Sequence, residues 1–229
     1  MEKSAWKSLL VVGIYAVGMA FVESAVVVYL RMLYYPGGFA FPLKWIDPRT
    51  LDVEWAREAA TLVMLAAVAW LAGKSFHERF AFFLWAFALW DIFYYVWLRA
   101  VLGWPPSPLT PDLLFLIPWA WVGPVLAPLL CSFIMIALAL ALLKARRNPS
   151  SPEWALLWAG NALVLSAFLR DYGALIFKGG FAPSFLELAT SPAFRAASTR
   201  FLPGPFAWGP FLAGAALYLG ATASLLARQ

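Results

Sequence analysis

The chain has 229 residues, of which 63% are hydrophobic and 13% are charged, and its formal net charge is +5. A soluble domain has about 45–50% apolar and about 25% charged residues, so the composition excludes an ordinary soluble protein and predicts a multi-pass membrane protein. The basic residues lie mostly at the ends of apolar runs, where they orient helices and meet anionic lipid, so they do not indicate nucleic-acid binding.

Two residue types that often build cofactor sites occur once each, as Cys131 and His77. A single cysteine excludes a disulfide within the chain and a cysteine zinc site. A single histidine argues against a bis-histidine haem and a two-histidine di-iron site. The sequence therefore assigns no cofactor and no metal. A quinone, carotenoid or other flat pigment stays an alternative, because 17% of the residues are aromatic.

The first three apolar runs predict three membrane-spanning helices, over residues 5–34, 50–73 and 79–102. Each is long enough to cross a hydrocarbon core about 30 Å thick. The first run has the basic start of a signal peptide. Its apolar character continues past Glu23, however, and this favours a retained helix.

The fourth apolar region is less regular. Thr110-Pro111-Asp112 is typical of a helix start, with a cap, a first-turn proline and an acid that suits the helix dipole. A helix from there to Lys144 would be about 50 Å long, too long for an untilted span. We therefore predict that Pro118 breaks it into a short interfacial helix and a membrane span, and that Pro124 and Pro128 make the first half of this span irregular.

The last part of the chain contains two further spans, over residues 151–177 and 206–226. Residues 179–205 between them are too polar and too rich in proline to span, but apolar enough to lie on the membrane as one or two short helices. No internal repeat is evident, so the inverted-repeat signature of many transporters is absent. The predicted fold is an all-α polytopic bundle of about six helices, one membrane domain over residues 1–229.

The charges of the short connections predict the orientation. Three basic residues cluster in Lys144–Arg147, whereas the connection 103–111 has none. Since positive loops face the cytoplasm, we expect both termini there, in a bacterial or archaeal cytoplasmic (inner) membrane.

Polar residues inside the spans concentrate in the half away from the termini. Asp91 lies near the middle of its span, and a charge there costs about 2.5–3.5 kcal/mol on insertion scales. Such an acid should be neutral, paired, or facing water. The residues that we predict to form one outward-facing pocket, as a proton, ion or ligand site, are Asp91, Glu23, Glu58, Tyr94 and Tyr95. Those expected to attract anions or to pair with these acids are Arg31, Arg57, Arg99 and Arg170.

Several interpretations of this cluster stay open. The acids and arginines can pair and only fix helix packing, or Glu23, Glu58 and Asp91 can hold a divalent cation. As a function, we favour a small-solute or ion-coupled transporter gated by the broken fourth helix. The alternatives are an enzyme acting on a lipid or isoprenoid at the outer leaflet, and a non-catalytic subunit of a larger membrane complex. Expected partners are the lipid bilayer, a small-molecule or lipid ligand, and a second copy of the chain or a larger complex.

Overall fold

The computed structural model describes residues 3–228, apart from the side chains of Lys3, Ser4 and Leu186. In this part of the chain, six helices are long and apolar enough to cross a membrane. They confirm the prediction of a multi-pass, all-α bundle. The elements in chain order are α1 (Lys3–Tyr34), α2 (Pro48–Ala72), α3 (Phe76–Leu102), β1 (Pro111–Phe115), β2 (Trp121–Pro124), α4 (Leu126–Ala145), α5 (Ser151–Lys178), a 3-10 segment (Ala182–Thr190), α6 (Pro192–Ser198) and α7 (Trp208–Ala227).

Local capping signals explain where the helices begin and end. Asp47 caps α2, because its carboxylate accepts the backbone N–H of Thr50 at 3.1 Å. Ser75 and Glu78 form a capping box at the start of α3, and Gly103 ends this helix with a φ of 66°. Glycine adopts this left-handed conformation without the steric cost that a Cβ brings.

The spans alternate in direction, so the bundle has two ends. We call the end formed by residues 35–47, 103–125 and 179–207 the loop end, and the end that holds residues 73–75 and 146–150 the termini end. Helix α3 is central and packs against α1, α2 and α4, while α7 packs against α4 and α5. The largest buried apolar cluster fills the half towards the termini end, with Leu9, Phe82, Leu138, Leu142 and Leu225 among its members.

The region after α3 is a β-hairpin, so the prediction of a short interfacial helix starting at Thr110 is wrong. Strands β1 and β2 pair antiparallel, with Pro111 opposite Pro124 and Leu113 opposite Val122. The physical reason is tertiary: the hairpin places Asp112 in a buried position and gives the N–H of Leu116 a carboxylate partner on α2. These long-range contacts outweigh the weak local preference of a cap sequence.

Helix α4 is also unlike the prediction, because it is a continuous span from Leu126 to Ala145. Pro124 lies before it, in β2. Pro128 falls in its first turn, where a backbone N–H has no helical partner to lose. The irregular backbone at this place is therefore outside the helix, and the expected proline break in the span is wrong.

The connection between α5 and α7 contains the expected short helices. The 3-10 segment contacts both α2 and α5 and also packs on α6. It therefore connects α2 and α5 across the loop end.

Candidate functional site

A cavity of about 240 Å³ lies at the loop end of the bundle. Helices α1, α2, α3 and α5 form its walls, and the hairpin, the 3-10 segment and α6 cover it. All five residues predicted to form the pocket line it: Glu23, Glu58, Asp91, Tyr94 and Tyr95. The geometry therefore brings these side chains together, while their role stays a prediction.

Asp91 forms the floor of this cavity. It lies 11 residues before Leu102, the last residue of α3, which is about 16 Å from the helix end at 1.5 Å per residue. The hydroxyl of Ser132 on α4 donates to its Oδ2 at 2.7 Å. None of the ion pairs found among the described side chains involves Asp91. Ser132 can orient the carboxyl group but cannot neutralise it.

Three glutamates surround the guanidinium of Arg57. Arg57 donates to Glu23 of α1 and, at 2.8 Å, to Glu54, and it lies 4.0 Å from Glu58. Thr61 also donates to Glu23, at 3.2 Å. This group joins α1 to α2. Pairing of Glu23 with Arg57 is one of the contacts expected if the charges fix helix packing.

Glu58 connects α2 to the tip of the hairpin. Its two carboxylate oxygens accept the backbone N–H of Leu116 at 2.9 and 3.1 Å. A carboxylate is a strong acceptor for a backbone N–H. The hairpin tip is thereby held over the cavity.

Arg31 and Asp112 form a second charged group near the mouth. Arg31 Nη2 donates to Asp112 at 3.2 Å, and the hydroxyl of Tyr95 donates to the other carboxylate oxygen at 3.1 Å. The guanidinium lies 3.8 Å from the ring centre of Trp104 and 4.6 Å from that of Phe39. These cation–π contacts help to hold the guanidinium in place.

Asp112 is a cavity residue that the sequence did not indicate, because its position after Thr110-Pro111 resembles a helix start. Only 1% of the residue is exposed. Burial raises the pKa of its carboxyl group to about 6, although the charge of Arg31 acts to lower it. One feature of the sequence does point to a buried role for Asp112: it is the only charged residue in the stretch 111–124.

Two of the predicted arginines lie elsewhere. Arg99 donates to the backbone carbonyls of Gly103 and Pro105 at the end of α3. Arg170 is exposed on α5. Neither lines the cavity, so Arg31 and Arg57 are the predicted arginines that do.

Acids outnumber bases in the cavity lining. The five carboxylates are Glu23, Glu54, Glu58, Asp91 and Asp112, and the three basic residues are Arg31, Arg57 and Lys44. An uncompensated charge at membrane depth is unfavourable. The acids therefore have fewer basic partners in the lining than their number requires, and a proton site among them stays a prediction.

The described residues contain no group of three histidine, cysteine, aspartate or glutamate side chains placed to hold a metal ion. The divalent-cation interpretation of Glu23, Glu58 and Asp91 thus has no support in the geometry.

Comparison with protein-family models, with curated proteins and with solved structures found no match to this chain.

Proposed function

We propose that this chain is a membrane-embedded enzyme that binds a small, largely apolar molecule in the loop-end cavity and exchanges a proton with it through Asp91. The observation that carries the proposal is the position of Asp91, at the floor of a cavity of about 240 Å³ and bonded to a serine hydroxyl. A carboxyl group without a fixed counter-charge can act as a general acid or base.

The same observation argues against a purely structural role in a larger complex. A structural acid inside a membrane is expected to pair directly with a basic residue, as Glu23 does with Arg57. Asp91 has Ser132 as its partner and a cavity of ligand size beside it. The aromatic lining around it, including Trp90, Tyr94 and Tyr95, suits an apolar ligand.

The packing of the bundle favours catalysis over passage through the membrane. Below Asp91, the half towards the termini end is filled by buried apolar side chains, among them Leu9, Phe82 and Leu142. The continuous helix α4 also lacks the break on which a gating mechanism would depend. A cavity that is closed by packing on one side can exchange a substrate only at the loop end.

The cover of the cavity supports the same function. The cavity is lined at the loop end by Phe185 and Leu188 of the 3-10 segment and by Phe194 of α6. A cover of this kind excludes water, and this strengthens electrostatic interactions between an acid and its substrate. The substrate class that suits these walls is a lipid-derived or isoprenoid molecule.

Proton-coupled transport is the second candidate. The lining acids lie at several depths, from Asp112 in the hairpin to Asp91 at the floor, and such a series can pass protons along. With either function, we propose a location in a bacterial or archaeal cytoplasmic membrane, with the cavity open to the outer side.

Occupancy of the cavity is the first part of the test. Protein purified in nanodiscs of bacterial polar lipids is extracted, and the retained small molecules are identified by mass spectrometry. Ala189→Trp, which fills the cavity from the 3-10 segment, should remove the retained molecule. Ala196→Trp, on the exposed face of α6, should keep it. If both variants retained the same molecules, these molecules would not be bound in the cavity.

Turnover is the second part. Wild-type protein incubated in these lipids should convert one component to a new species, Asp91→Asn should lose this conversion, and the exposed-acid control Asp52→Asn should keep it. Conversion that persists in Asp91→Asn would refute the assigned role. Uptake that collapses with the proton gradient, without chemical change, would establish the transport alternative.

A further inference from the structure

An open groove of about 830 Å³ lies beside the cavity at the loop end, and we call it the loop groove. It is formed mainly by residues between 33 and 45, at the end of α1 and in the connection to α2, and Arg195 and Thr199 line it from the side of α6. Five residues line both spaces: Tyr34, Tyr35, Leu43, Lys44 and Trp45. The loop groove and the cavity are therefore adjacent and share a wall.

The loop groove differs from the cavity in its charge. Its charged residues are Lys44 and Arg195, and none of the described residues that line it is acidic, whereas acids outnumber bases in the cavity. The nearby acid Asp47 is not part of the lining, and its carboxylate already accepts hydrogen bonds from Thr50 and Tyr34. A negatively charged group is therefore complementary to the loop groove but not to the cavity.

Both cations are available to a ligand. Lys44 and Arg195 are exposed, and none of the ion pairs found among the described side chains involves them. The ammonium group of Lys44 lies 5.7 Å from the ring centre of Tyr35, and the guanidinium of Arg195 lies 5.7 Å from that of Trp45. Because both rings belong to the wall of the loop groove, the two positive charges lie beside this space.

The position of the loop groove narrows the class of anion. Helix α1 ends at Tyr34 and α2 begins at Pro48, so the connection between them lies outside the apolar spans, at the depth expected for lipid headgroups. The adjacent cavity has apolar walls that include Val27, Leu30 and Phe185. A lipid phosphate has one part for each space: its phosphate complements the cations of the loop groove, and its hydrocarbon chain complements the apolar walls of the cavity.

We propose that the loop groove binds the phosphate headgroup of a lipid through Lys44 and Arg195, with the hydrocarbon chain of this lipid in the cavity. The inference rests on the proposed function and names its substrate class as a lipid phosphate. In this arrangement the chain extends from the shared wall towards Asp91, and the negative charge stays outside the acid-lined space. A quaternary ammonium headgroup would be repelled by both cations.

The test compares three probes that have the same hydrocarbon chain with one anion that has no chain. They are dodecyl phosphate, dodecanol, dodecyltrimethylammonium and inorganic phosphate. Binding to the protein in phosphatidylcholine nanodiscs is followed by tryptophan fluorescence and corrected for partition into protein-free nanodiscs. A lysine or arginine near a membrane surface strengthens the binding of anionic lipid about fivefold, so two of them should make dodecyl phosphate bind about 30-fold more tightly than dodecanol. Inorganic phosphate should not displace it.

Variants then connect this preference to the two cations. Lys44→Gln and Arg195→Gln should each weaken the binding of dodecyl phosphate about fivefold and leave dodecanol unchanged, and the double variant should bind the two probes alike. Arg49→Gln removes an exposed arginine of α2 that lines neither space, and should change nothing. Ala189→Trp, which fills the cavity, should weaken both dodecyl phosphate and dodecanol. Thermal unfolding of each variant verifies that it is folded.

The outcomes separate this inference from the proposed function. If dodecyl phosphate and dodecanol bind equally and Ala189→Trp blocks both, the cavity binds apolar chains but the phosphate inference is wrong. Tightest binding of dodecyltrimethylammonium would also overturn it, as would a preference for dodecyl phosphate that persists in the double variant. If inorganic phosphate displaces dodecyl phosphate and Ala189→Trp leaves its binding intact, the loop groove binds free anions and not a lipid. If no probe binds, both the inference and the proposed binding cavity fail.

Discussion

Arg57 is the residue whose removal should damage the protein most directly. It holds Glu23 and Glu54 by hydrogen bonds and lies 4.0 Å from Glu58. Without the guanidinium, three mostly buried carboxylates would face one another with no counter-charge. Breaking a buried ion pair in this way costs about 3–5 kcal/mol, so Arg57→Ala should lower the free energy of unfolding by this order, measured by denaturation in detergent.

A matched control is available on the same helix. Arg49 is exposed near the start of α2, where a surface charge contributes about 0–1 kcal/mol. Arg49→Ala should therefore leave stability almost unchanged. An equal loss of unfolding free energy in both variants would show that the ion pairs of Arg57 with the glutamates do not stabilise the fold.

Asp112 should make stability depend on pH. Its pKa of about 6 in the folded protein lies above the reference value of 3.8, so the folded state holds this proton more tightly than the unfolded chain does. The stabilisation from Asp112 is therefore present below about pH 4 and is lost as the pH rises to about 6, at about 1.4 kcal/mol per unit of pKa difference.

Asp112→Asn is the variant that tests this, because it keeps an acceptor for Arg31 and removes the titration. Thermal unfolding, followed by tryptophan fluorescence at several values from about pH 4 to pH 6, should show a steeper loss of stability for the wild type than for the variant. Parallel profiles of the two proteins would contradict the raised pKa.

At the scale of elements, the contact between α5 and α7 depends on two glycines that face each other. A Cβ at Gly214 would come within 2.7 Å of the carbonyl oxygen of Gly160 and 2.9 Å of a methyl group of Val164. Because these neighbours are backbone and a packed side chain, Gly214→Ala must push the helices apart. We expect a loss of about 1–3 kcal/mol in the free energy of unfolding, measured by denaturation in detergent.

Gly220, further along α7, supplies the opposite case. A Cβ there has no neighbour within 4 Å among the described residues. Gly220→Ala should be neutral or stabilise the helix by up to about 1 kcal/mol, because alanine has the higher helix propensity. If Gly220→Ala destabilised the protein as much as Gly214→Ala does, the close contact at Gly214 would not be the cause of the loss.

Some elements of the bundle could be predicted from the sequence, and others could not. The spans were predictable because membrane thickness sets a run length that can be read locally. Asp91 and Glu23 were identifiable because an acid in such a run is rare. The hairpin was not predictable: Asp112 and Leu116 have their partners in Arg31 and Glu58, and no local pattern encodes contacts over 81 and 58 residues.

At the scale of the whole molecule, the bundle has two unlike halves. The half towards the termini end is closed by apolar packing, and the half towards the loop end contains the cavity and its charged groups. If the proposed function is correct, the cavity exchanges its ligand with one leaflet only. Which leaflet it uses depends on the orientation of the bundle in the membrane.

The distribution of basic residues predicts that orientation. Lys144, Arg146 and Arg147 lie at the termini end, which should therefore face the cytoplasm, and the cavity should face outwards. In a Cys131→Ser background, a membrane-impermeant maleimide should label Gly37→Cys, exposed at the loop end, in intact cells. It should label Asn148→Cys, exposed at the termini end, only after lysis. The reverse pattern would place the cavity, and the substrate it takes up, at the cytoplasmic leaflet.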